Sequence, residues 1–199
     1  MKSSVFLILL FFPLVTFAQY EARDSAKPGY IWNQKEQEAA VDTDIIEANA
    51  SKNYIPAIRK IVQAINTNPG YKTKTLENDE FIGFGDNGSA LTGYFKNGEL
   101  TKMNVWVGLS HCIVTIEYYM DHGKLIFAFE QLRAFPYVDK PDTSYFDYDH
   151  PHIALESRFY FQDGKLIKKI STGEPECTTA PSASTLLADS KEYSALLLK

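Results

Sequence analysis

The stretch from Gly93 to Leu100, GYFKNGEL, decides the fold that this sequence predicts. It carries two aromatic residues before Asn97-Gly98 and a leucine soon after it. A two-residue type I′ turn requires positive φ at both central positions, and Asn-Gly meets that requirement at little steric cost. The stretch therefore predicts a β-hairpin. Its register would pair the residues on either side of the turn: Lys96 with Glu99, Phe95 with Leu100 and Tyr94 with Thr101.

The same signal recurs between Tyr71 and Ile170, where β-branched and aromatic residues are frequent. Three more glycine turns are predicted there, at Asn87-Gly88, His122-Gly123 and Asp163-Gly164. The tight-turn register at the second and third of these gives the pairs Met120 with Leu125, Tyr118 with Phe127, Ile116 with Phe129, Phe161 with Leu166 and Tyr160 with Ile167. The expected result is a meandering antiparallel sheet in which one face carries more apolar side chains than the other.

The hairpin motif also supports a resemblance. GYFKNGEL resembles half of a membrane occupation and recognition nexus (MORN) repeat, whose units carry aromatic-x-x-Gly hairpins. The order LTGYFKNGEL, EYYMDHGKLIF, RFYFQDGKLIKKI looks like that of small exported bacterial proteins with no assigned function. The first resemblance implies hairpin units, the second implies export, and neither brings catalytic residues with it.

Helical periodicity appears on both sides of the predicted sheet. Ile55, Ile58, Val62 and Ile65 recur at helical spacing, and Pro56 is tolerated in a first turn, which predicts a helix from Asn53 to Asn66. Leucines after residue 185 predict a short C-terminal helix, capped by Ser182 or Ser184. The fold class expected is α+β, with one long helix packed on the antiparallel sheet and a short helix at the end.

The first residues predict export. Lys2 precedes an apolar run from Val5 to Phe12, and Thr16 and Ala18 occupy the small-residue positions read by a signal peptidase. We expect cleavage before Gln19 and a soluble periplasmic or secreted protein with no integral membrane segment. The chain then divides into 1–18 as signal peptide, 19–52 as a partly helical lead-in segment, 53–176 as the α+β domain, and 177–199 as the C-terminal tail.

Composition narrows the class of partner. The 199 residues carry a formal net charge of −5, and their bases form no stripe of the kind that binds nucleic acid. A chain of this length buries a sizeable core without a metal or a disulfide, so stability gives no reason to expect a cofactor. The expected partner is an unidentified protein or a small-molecule ligand.

Cys112 and Cys177 are the two cysteines of the chain. In an oxidising compartment they are candidates for a disulfide, and the alternative is a buried strand thiol at Cys112 with a separate thiol at Cys177. His111 beside Cys112 could suggest a thiol and its base, but neighbouring strand residues point to opposite faces. A nucleophilic pair is therefore not predicted there.

Two clusters are candidate sites. Asp147, Asp149, His150 and His152 combine oxygen and imidazole ligands suited to zinc or manganese, or they form a solvated acidic loop. Aromatic residues crowd the same region and could form a ligand surface or belong to the core: Phe135, Tyr137, Tyr145, Phe146 and Tyr148. Glu117 and Glu130 are predicted on one sheet face, at a diagonal that would suit paired carboxylates or a wet surface.

Three functional hypotheses arise from these features. The leading hypothesis is an exported, non-enzymatic binding or interaction module, because an aromatic loop beside a sheet without a convergent catalytic set is typical of carriers and inhibitors. The second is a metal-dependent hydrolase that uses the loop from 147 to 152. The third is a structural component of a cell-envelope assembly, recruited by strand addition at a sheet edge. Whether any catalysis occurs is left open.

Overall fold

A computed structural model describes residues 48–81 and 86–199, with side chains from Tyr54 onward. The predicted signal peptide, its cleavage site and most of the lead-in segment lie outside these residues. Across the described ranges, no helix combines the length and the apolar character needed to cross a membrane.

The described chain begins and ends with a helix and has nine strands between them. The elements are α1 (Ala48–Thr67), β1 (Lys72–Glu77), a 3₁₀ turn (Asn78–Glu80), β2 (Ser89–Lys96), β3 (Glu99–Gly108), β4 (Cys112–Asp121), β5 (Lys124–Ala134), β6 (Tyr137–Lys140), β7 (Thr143–Phe146), β8 (His152–Gln162), β9 (Lys165–Gly173) and α2 (Ala183–Leu197). Seven strands form one antiparallel sheet in the order β1-β2-β3-β4-β5-β8-β9, and β6 and β7 form a separate hairpin. The prediction of an antiparallel sheet that meanders along the chain is confirmed.

Three tight hairpins share one local design. Asn97 and Gly98, His122 and Gly123, and Asp163 and Gly164 all have positive φ, as type I′ turns require. Each hairpin then shifts its register at the same place, after the tyrosine that precedes the turn by three residues: Tyr94, Tyr119 and Tyr160. The shift leaves Thr101, Ile126 and Ile167 as the extra residues of β-bulges.

The bulges correct the predicted register. The first two pairs of each hairpin are as expected, but Tyr94 faces Lys102, Tyr118 faces Ala128 and Tyr160 faces Lys168. A one-residue shift exchanges the two faces of the strand beyond the bulge. Glu117 therefore faces Phe129, while Glu130 faces Ile116, so the two glutamates lie on opposite faces of the sheet. The predicted carboxylate pair is wrong for this reason.

Asn87-Gly88 is not the tight hairpin turn predicted. β1 ends at Glu77 and β2 begins at Ser89, so the connection between these paired strands is much longer than two residues. Instead, the backbone of Asn87 and Gly88 hydrogen-bonds to Gly108 at the end of β3, with N to O distances of 3.1 and 2.9 Å. The segment extends the pairing of β2 with β3 rather than reversing the chain.

The two helices pack on opposite faces of the sheet. On the α1 face, Ile58, Val62 and Ile65 contact a cluster that includes Tyr119, Phe127 and Tyr160. On the α2 face, Leu186 and Leu197 contact a cluster that includes Leu91, Met103, Tyr118 and Phe159. Each fully buried side chain of this size contributes about 1.5–3 kcal/mol through the hydrophobic effect.

This arrangement differs from the predicted single long helix on one face. α1 begins at Ala48, earlier than the predicted start at Asn53, so Pro56 lies inside the helix and not in its first turn. The C-terminal helix is present, and the hydroxyl of Ser182 caps it by accepting a hydrogen bond of 3.1 Å from the backbone N–H of Thr185. Both faces of the sheet carry apolar residues, which is why each one is covered by a helix.

A disulfide joins Cys112 at the start of β4 to Cys177 ahead of α2. Both sulfurs lie in a small apolar cluster with Leu132 and Leu155. Because the bridge spans 65 residues of sequence, the chain-entropy model assigns it about 4 kcal/mol of stabilisation. It ties the C-terminal segment to the end of the sheet where β3 turns into β4.

Candidate ligand-binding cleft

A cleft of about 390 Å³ opens at the end of the sheet where β3 leads into β4. Three aromatic rings dominate its walls, and its described lining residues are Trp106, Phe135, Tyr148, Asn87, Gly108, Leu109 and Ile113. Trp106 lies opposite Thr115, and Gly108 lies opposite Ile113. These positions belong to the α1 face, so the cleft lies on the same sheet face as α1 but toward the other ends of the strands.

Backbone hydrogen bonds shape the floor of the cleft. The N–H of Leu109 donates to the carbonyl of Cys112 at 2.8 Å, and the N–H of Phe135 donates to the carbonyl of His111 at 3.0 Å. The side-chain amide of Asn87 donates to the carbonyl of Leu109 at 3.0 Å. A Cβ on Gly108 would come within 2.9 Å of both the Asn87 carbonyl and the Trp106 ring. Glycine is therefore needed where these segments meet.

Phe135 and Tyr148 form one corner of the cleft. Their ring centroids lie 4.9 Å apart at an interplanar angle of 69°, so the two rings stand as walls at an angle and not as a parallel stack. Phe135 is buried, while Tyr148 is 51% exposed. The hydroxyl of Tyr148 donates a hydrogen bond of 3.0 Å to the carbonyl of Ser110. This bond holds an otherwise exposed ring at the mouth of the cleft.

The carboxylate of Asp86 is hydrogen-bonded to Ser110, the residue that also accepts the Tyr148 hydroxyl. Asp86 Oδ2 accepts a hydrogen bond of 3.2 Å from the backbone N–H of Ser110 and a second one from the Ser110 hydroxyl. These hydrogen bonds from Ser110 lower the pKa of Asp86, and the nearby imidazole of His111 acts in the same direction. Asp86 directly precedes Asn87 of the cleft wall, and Ser110 links its carboxylate to the aromatic wall, because the carbonyl of Ser110 accepts the Tyr148 hydroxyl.

The five aromatic residues singled out in the sequence divide into two groups. Phe135 and Tyr148 line the cleft. Tyr137, Tyr145 and Phe146 belong to the β6–β7 hairpin, where Tyr137 contacts Phe146 at 5.3 Å between ring centroids and Tyr145 lies near the ammonium of Lys140. Phe146 also contacts the His111 ring at 6.0 Å, which places the hairpin beside the turn that forms the cleft floor.

Trp106 and Ile113 are cleft residues that the sequence interpretation missed. Their signal is the alternation along β3 and β4, which assigns both of them to one sheet face. β3 and β4 pair without a register shift, so this alternation was readable from the sequence, but it does not show which distant residues meet Trp106 and Ile113. Asn87 also belongs to the cleft and not to a tight turn, and its contact with Leu109 depends on the fold.

The acidic and histidine-rich loop forms two separate contacts. His150 Nδ1 lies 2.9 Å from Asp147 Oδ2, and Asp147 Oδ1 accepts a hydrogen bond of 3.1 Å from the backbone N–H of Asp149. The hydrogen bond with His150 holds the pKa of Asp147 below its usual range. His152, by contrast, lies 3.2 Å from Glu176 Oε1. A metal site made of all four loop residues stays a prediction.

The described residues contain one set of at least three metal-type ligand atoms that lie within 4.8 Å of one another: His111, Cys112 and Cys177. Both sulfurs of that set are engaged in the disulfide. A sulfur in a disulfide is neither a thiolate ligand nor a nucleophile, so His111 and Cys112 offer no reactive thiol in this state.

A polar network separates the cleft from α1. Lys102 Nζ lies 2.6 Å from Glu117 Oε1, and the hydroxyl of Tyr119 donates to Glu117 Oε2 at 2.5 Å. The oxygen of Asn66, near the end of α1, lies 3.0 Å from the same hydroxyl. Burial, with the Glu117 charge as a second cause, raises the pKa of Tyr119 well above its ordinary value. The network joins the helix to the middle of the sheet.

Further polar side chains on β5 and β8 continue this polar network across the sheet. Arg133 Nε donates to Gln131 Oε1 at 2.9 Å, Gln131 donates to Glu156 Oε1 at 2.9 Å, and Arg158 donates to Glu156 Oε2 at 3.0 Å. The α1 face therefore changes from apolar under the helix, through charged and amide groups, to aromatic at the cleft. This order gives the cleft a polar inner border.

A second cleft, of about 540 Å³, lies between α2 and the tips of two hairpins. Its lining includes Met120, Leu125, Leu187 and Leu198, and the ion pair of Lys124 with Asp163 lies among the same lining residues. No aromatic ring is among the described residues that line it. The first cleft therefore offers the more specific recognition surface.

No family model, curated protein or solved structure matches this chain. A function for it therefore has to be inferred from the geometry and the charges of the cleft.

Proposed function

We propose that this protein is an exported, non-enzymatic binding module and that its ligand occupies the aromatic cleft. The observation that carries the proposal is the convergence of Trp106, Phe135 and Tyr148 on one cavity of about 390 Å³. Ligand sites in proteins are concave, mostly apolar, and supplied with a few polar groups that set orientation. This cavity has that composition, because its walls are mostly apolar and Asn87 supplies a polar group among its lining residues.

The aromatic residues suit binding because of their rigidity. A tyrosine or tryptophan side chain offers a large contact area and has few rotatable bonds to immobilise. Tyr148 loses still less freedom, because its hydroxyl is already bonded to Ser110. A ligand that packs on this ring meets a preorganised surface, which lowers the entropic cost of binding.

A binding role is supported further by the way the polar groups are paired. The Ser110 hydroxyl donates directly to Asp86, whereas a hydrolytic serine donates to an imidazole that a carboxylate orients. Cys112 is held in a disulfide. Each of these groups has a structural partner that accounts for its position.

The contact between Asp147 and His150 is the observation that favours the alternative of a metal-dependent hydrolase. Added zinc would then raise the melting temperature of the purified protein, and the rise would vanish in a His150→Ala, His152→Ala double variant.

The third candidate, a structural role through strand addition, is supported less. The outer strands carry Lys72 and Lys74 in β1 and Lys165 and Lys169 in β9, and such charges discourage edge pairing.

Intrinsic fluorescence offers a direct test of the cleft. The chain has two tryptophans, Trp32 and Trp106, so a Trp32→Phe variant reports on the cleft alone. Small aromatic and aliphatic fragments should change the emission of Trp106, and Tyr148→Ala should weaken that response. Tyr137→Ala is the matched control, because Tyr137 is 60% exposed on the neighbouring hairpin and is not among the cleft residues. Fragments that bind both variants equally, or none that bind at all, would contradict the proposal.

Export is a separate part of the proposal and has its own measurement. Mass spectrometry of protein recovered from the secreting cell should give a mature chain that begins at Gln19. An intact Met1 on a membrane-bound form would contradict it.

A further inference from the structure

We propose that the aromatic cleft recognises an organic cation, of the quaternary ammonium or guanidinium type. The inference rests on the proposed function, since it assigns a ligand class to the same cleft. Its basis is the combination of three aromatic walls with the carboxylate of Asp86, which is hydrogen-bonded to the same residue, Ser110, that accepts the Tyr148 hydroxyl.

The aromatic walls can attract a positive charge. The face of an aromatic ring carries partial negative charge, and a cation within about 6 Å of the ring centre is drawn to it. Phe135 and Tyr148 stand at 69° to each other, so a ligand in the corner between them can meet more than one ring. Trp106, the strongest type of cation-binding ring, belongs to the same cavity.

Asp86 adds a carboxylate that is held by Ser110, the residue that also binds the Tyr148 hydroxyl. Two hydrogen bonds from Ser110 hold the carboxylate in place and lower its pKa, so the group is ionised at neutral pH. The carbonyl of Ser110 accepts the hydroxyl of Tyr148. Ser110 therefore hydrogen-bonds to both the Asp86 carboxylate and the Tyr148 hydroxyl. A fixed charge needs little reorganisation when a ligand of opposite charge arrives.

The other charges around the cleft favour a cation as well. Tyr148 lies between Asp147 and Asp149 in sequence, and hydrogen bonding keeps the pKa of Asp147 low. On the neighbouring strand Arg133 lies opposite Ile113, but its Nε donates to Gln131 along the same strand. Asp147 is paired with His150 at 2.9 Å, and Asp86 is hydrogen-bonded to Ser110, so the carboxylate linked to the cleft through Ser110 is that of Asp86. A ligand with a positive charge is favoured there over a neutral or acidic one.

The test uses two probes of nearly equal shape and different charge. Choline carries a quaternary ammonium, and 3,3-dimethylbutan-1-ol replaces its nitrogen with carbon. Both are titrated into the full-length Trp32→Phe protein while Trp106 emission is followed. Choline should bind at least about fivefold more tightly than the alcohol, because only choline gains the cation–π and carboxylate interactions.

A pair of aspartate variants then locates the charge. Asp86→Asn should remove most of the preference for choline, and the amide can still accept a hydrogen bond from Ser110. Asp121→Asn is the control, since Asp121 belongs to a hairpin tip and not to the cleft, and it should keep the preference. Equal loss in both variants would overturn the assignment of Asp86.

The outcomes separate this inference from the proposed function. Equal binding of choline and the alcohol would overturn the cation inference and leave a purely apolar binding cleft. Binding of fragments but of neither probe would also overturn it. If nothing at all alters Trp106 emission, the proposed binding function itself fails.

Discussion

The hydroxyl of Tyr148 donates a hydrogen bond of 3.0 Å to the backbone carbonyl of Ser110. These residues lie 38 positions apart in the chain, and the bond joins the segment after β7 to the turn between β3 and β4. It fixes the exposed wall of the aromatic cleft against Phe135. The cleft therefore depends on a polar contact at its rim as well as on apolar packing.

Tyr148→Phe should keep the aromatic wall but release it from Ser110. We expect a stability loss of about 0.5–1.5 kcal/mol, the net value of one hydrogen bond, and weaker binding of any probe that occupies the cleft. Tyr145→Phe is the control, because the Tyr145 hydroxyl has only a 3.5 Å contact with Lys140. Urea unfolding and probe titration of the two variants measure both effects. Identical behaviour of the two variants would contradict this role for the Tyr148 hydroxyl.

The contributions of Lys102 and Glu117 to the free energy of unfolding should be strongly coupled. The two side chains are only 10% and 15% exposed, so removal of one partner leaves a largely buried charge. Lys102→Met or Glu117→Gln alone should cost about 2–4 kcal/mol, while the double variant should cost clearly less than the sum.

A double-mutant cycle in urea measures this coupling. The exposed pair of Lys124 and Asp163 is the matched control, with an expected coupling of about 0–1 kcal/mol. Additive losses at Lys102 and Glu117 would mean that the 2.6 Å contact contributes no coupling of its own.

Glu130 should make stability depend on pH. It is 1% exposed, and no group among the described residues donates a well-formed hydrogen bond to either carboxylate oxygen. Burial raises its pKa, and the nearby Ser157 hydroxyl and Lys169 ammonium offset only part of that effect. A raised pKa means that the stabilising contribution of the protonated form is complete below the unfolded pKa of about 4.3 and is lost as pH rises through the folded value.

Glu130→Gln removes that dependence, because the amide stays neutral. The variant should be more stable than the parent at about pH 7, and the difference should shrink toward about pH 4. Unfolding midpoints over this range measure it, with Glu174→Gln at an exposed position as control. A constant difference between parent and variant at all pH values would show that Glu130 does not titrate across the transition.

Reduction of the disulfide should destabilise the protein by up to about 4 kcal/mol. The expected result is a lower unfolding midpoint with reductant present. A Cys112→Ser, Cys177→Ser double variant should be similarly destabilised and should no longer respond to reductant. An unfolding midpoint of the parent protein that does not change with reductant would contradict a stabilising role for the disulfide.

Two glycines with positive φ should differ sharply in their tolerance of alanine. Gly98 has φ of +83° and open space around it, so Gly98→Ala should cost about 1 kcal/mol from backbone strain alone. Gly173 has φ of +86°, and a Cβ there would lie 2.0 Å from the Ala154 carbonyl oxygen. Gly173→Ala should therefore cost clearly more than Gly98→Ala. Equal melting temperatures for the two variants would mean that the strands separate at that point without penalty.

Local sequence was enough to predict the antiparallel sheet, the positive-φ turns at Asn97, His122 and Asp163, and a serine cap of α2 at Ser182 or Ser184, of which Ser182 is the one observed. These features depend on backbone preferences and side-chain contacts within a few residues, which the sequence displays directly. Phe135 and Tyr148 could be singled out because aromatic residues in a loop are unusual. The alternation along β3 assigns Trp106 to a sheet face, but its meeting with Phe135 and Tyr148 depends on the fold, since it lies far away in the chain.

Only the tertiary structure decided which residues share a face. A bulge after each of Tyr94, Tyr119 and Tyr160 moves the register by one residue, which separates Glu117 from Glu130. The three bulges share their place relative to the turn, but Asn-Gly, His-Gly and Asp-Gly turns are compatible with an unbulged hairpin as well, so the turn residues alone did not predict them. The cleft likewise needs β3, β4 and the segments around Phe135 and Tyr148 to meet. The sequence by itself determined the turns and the periodicity, and the three-dimensional packing determined which distant side chains form a site.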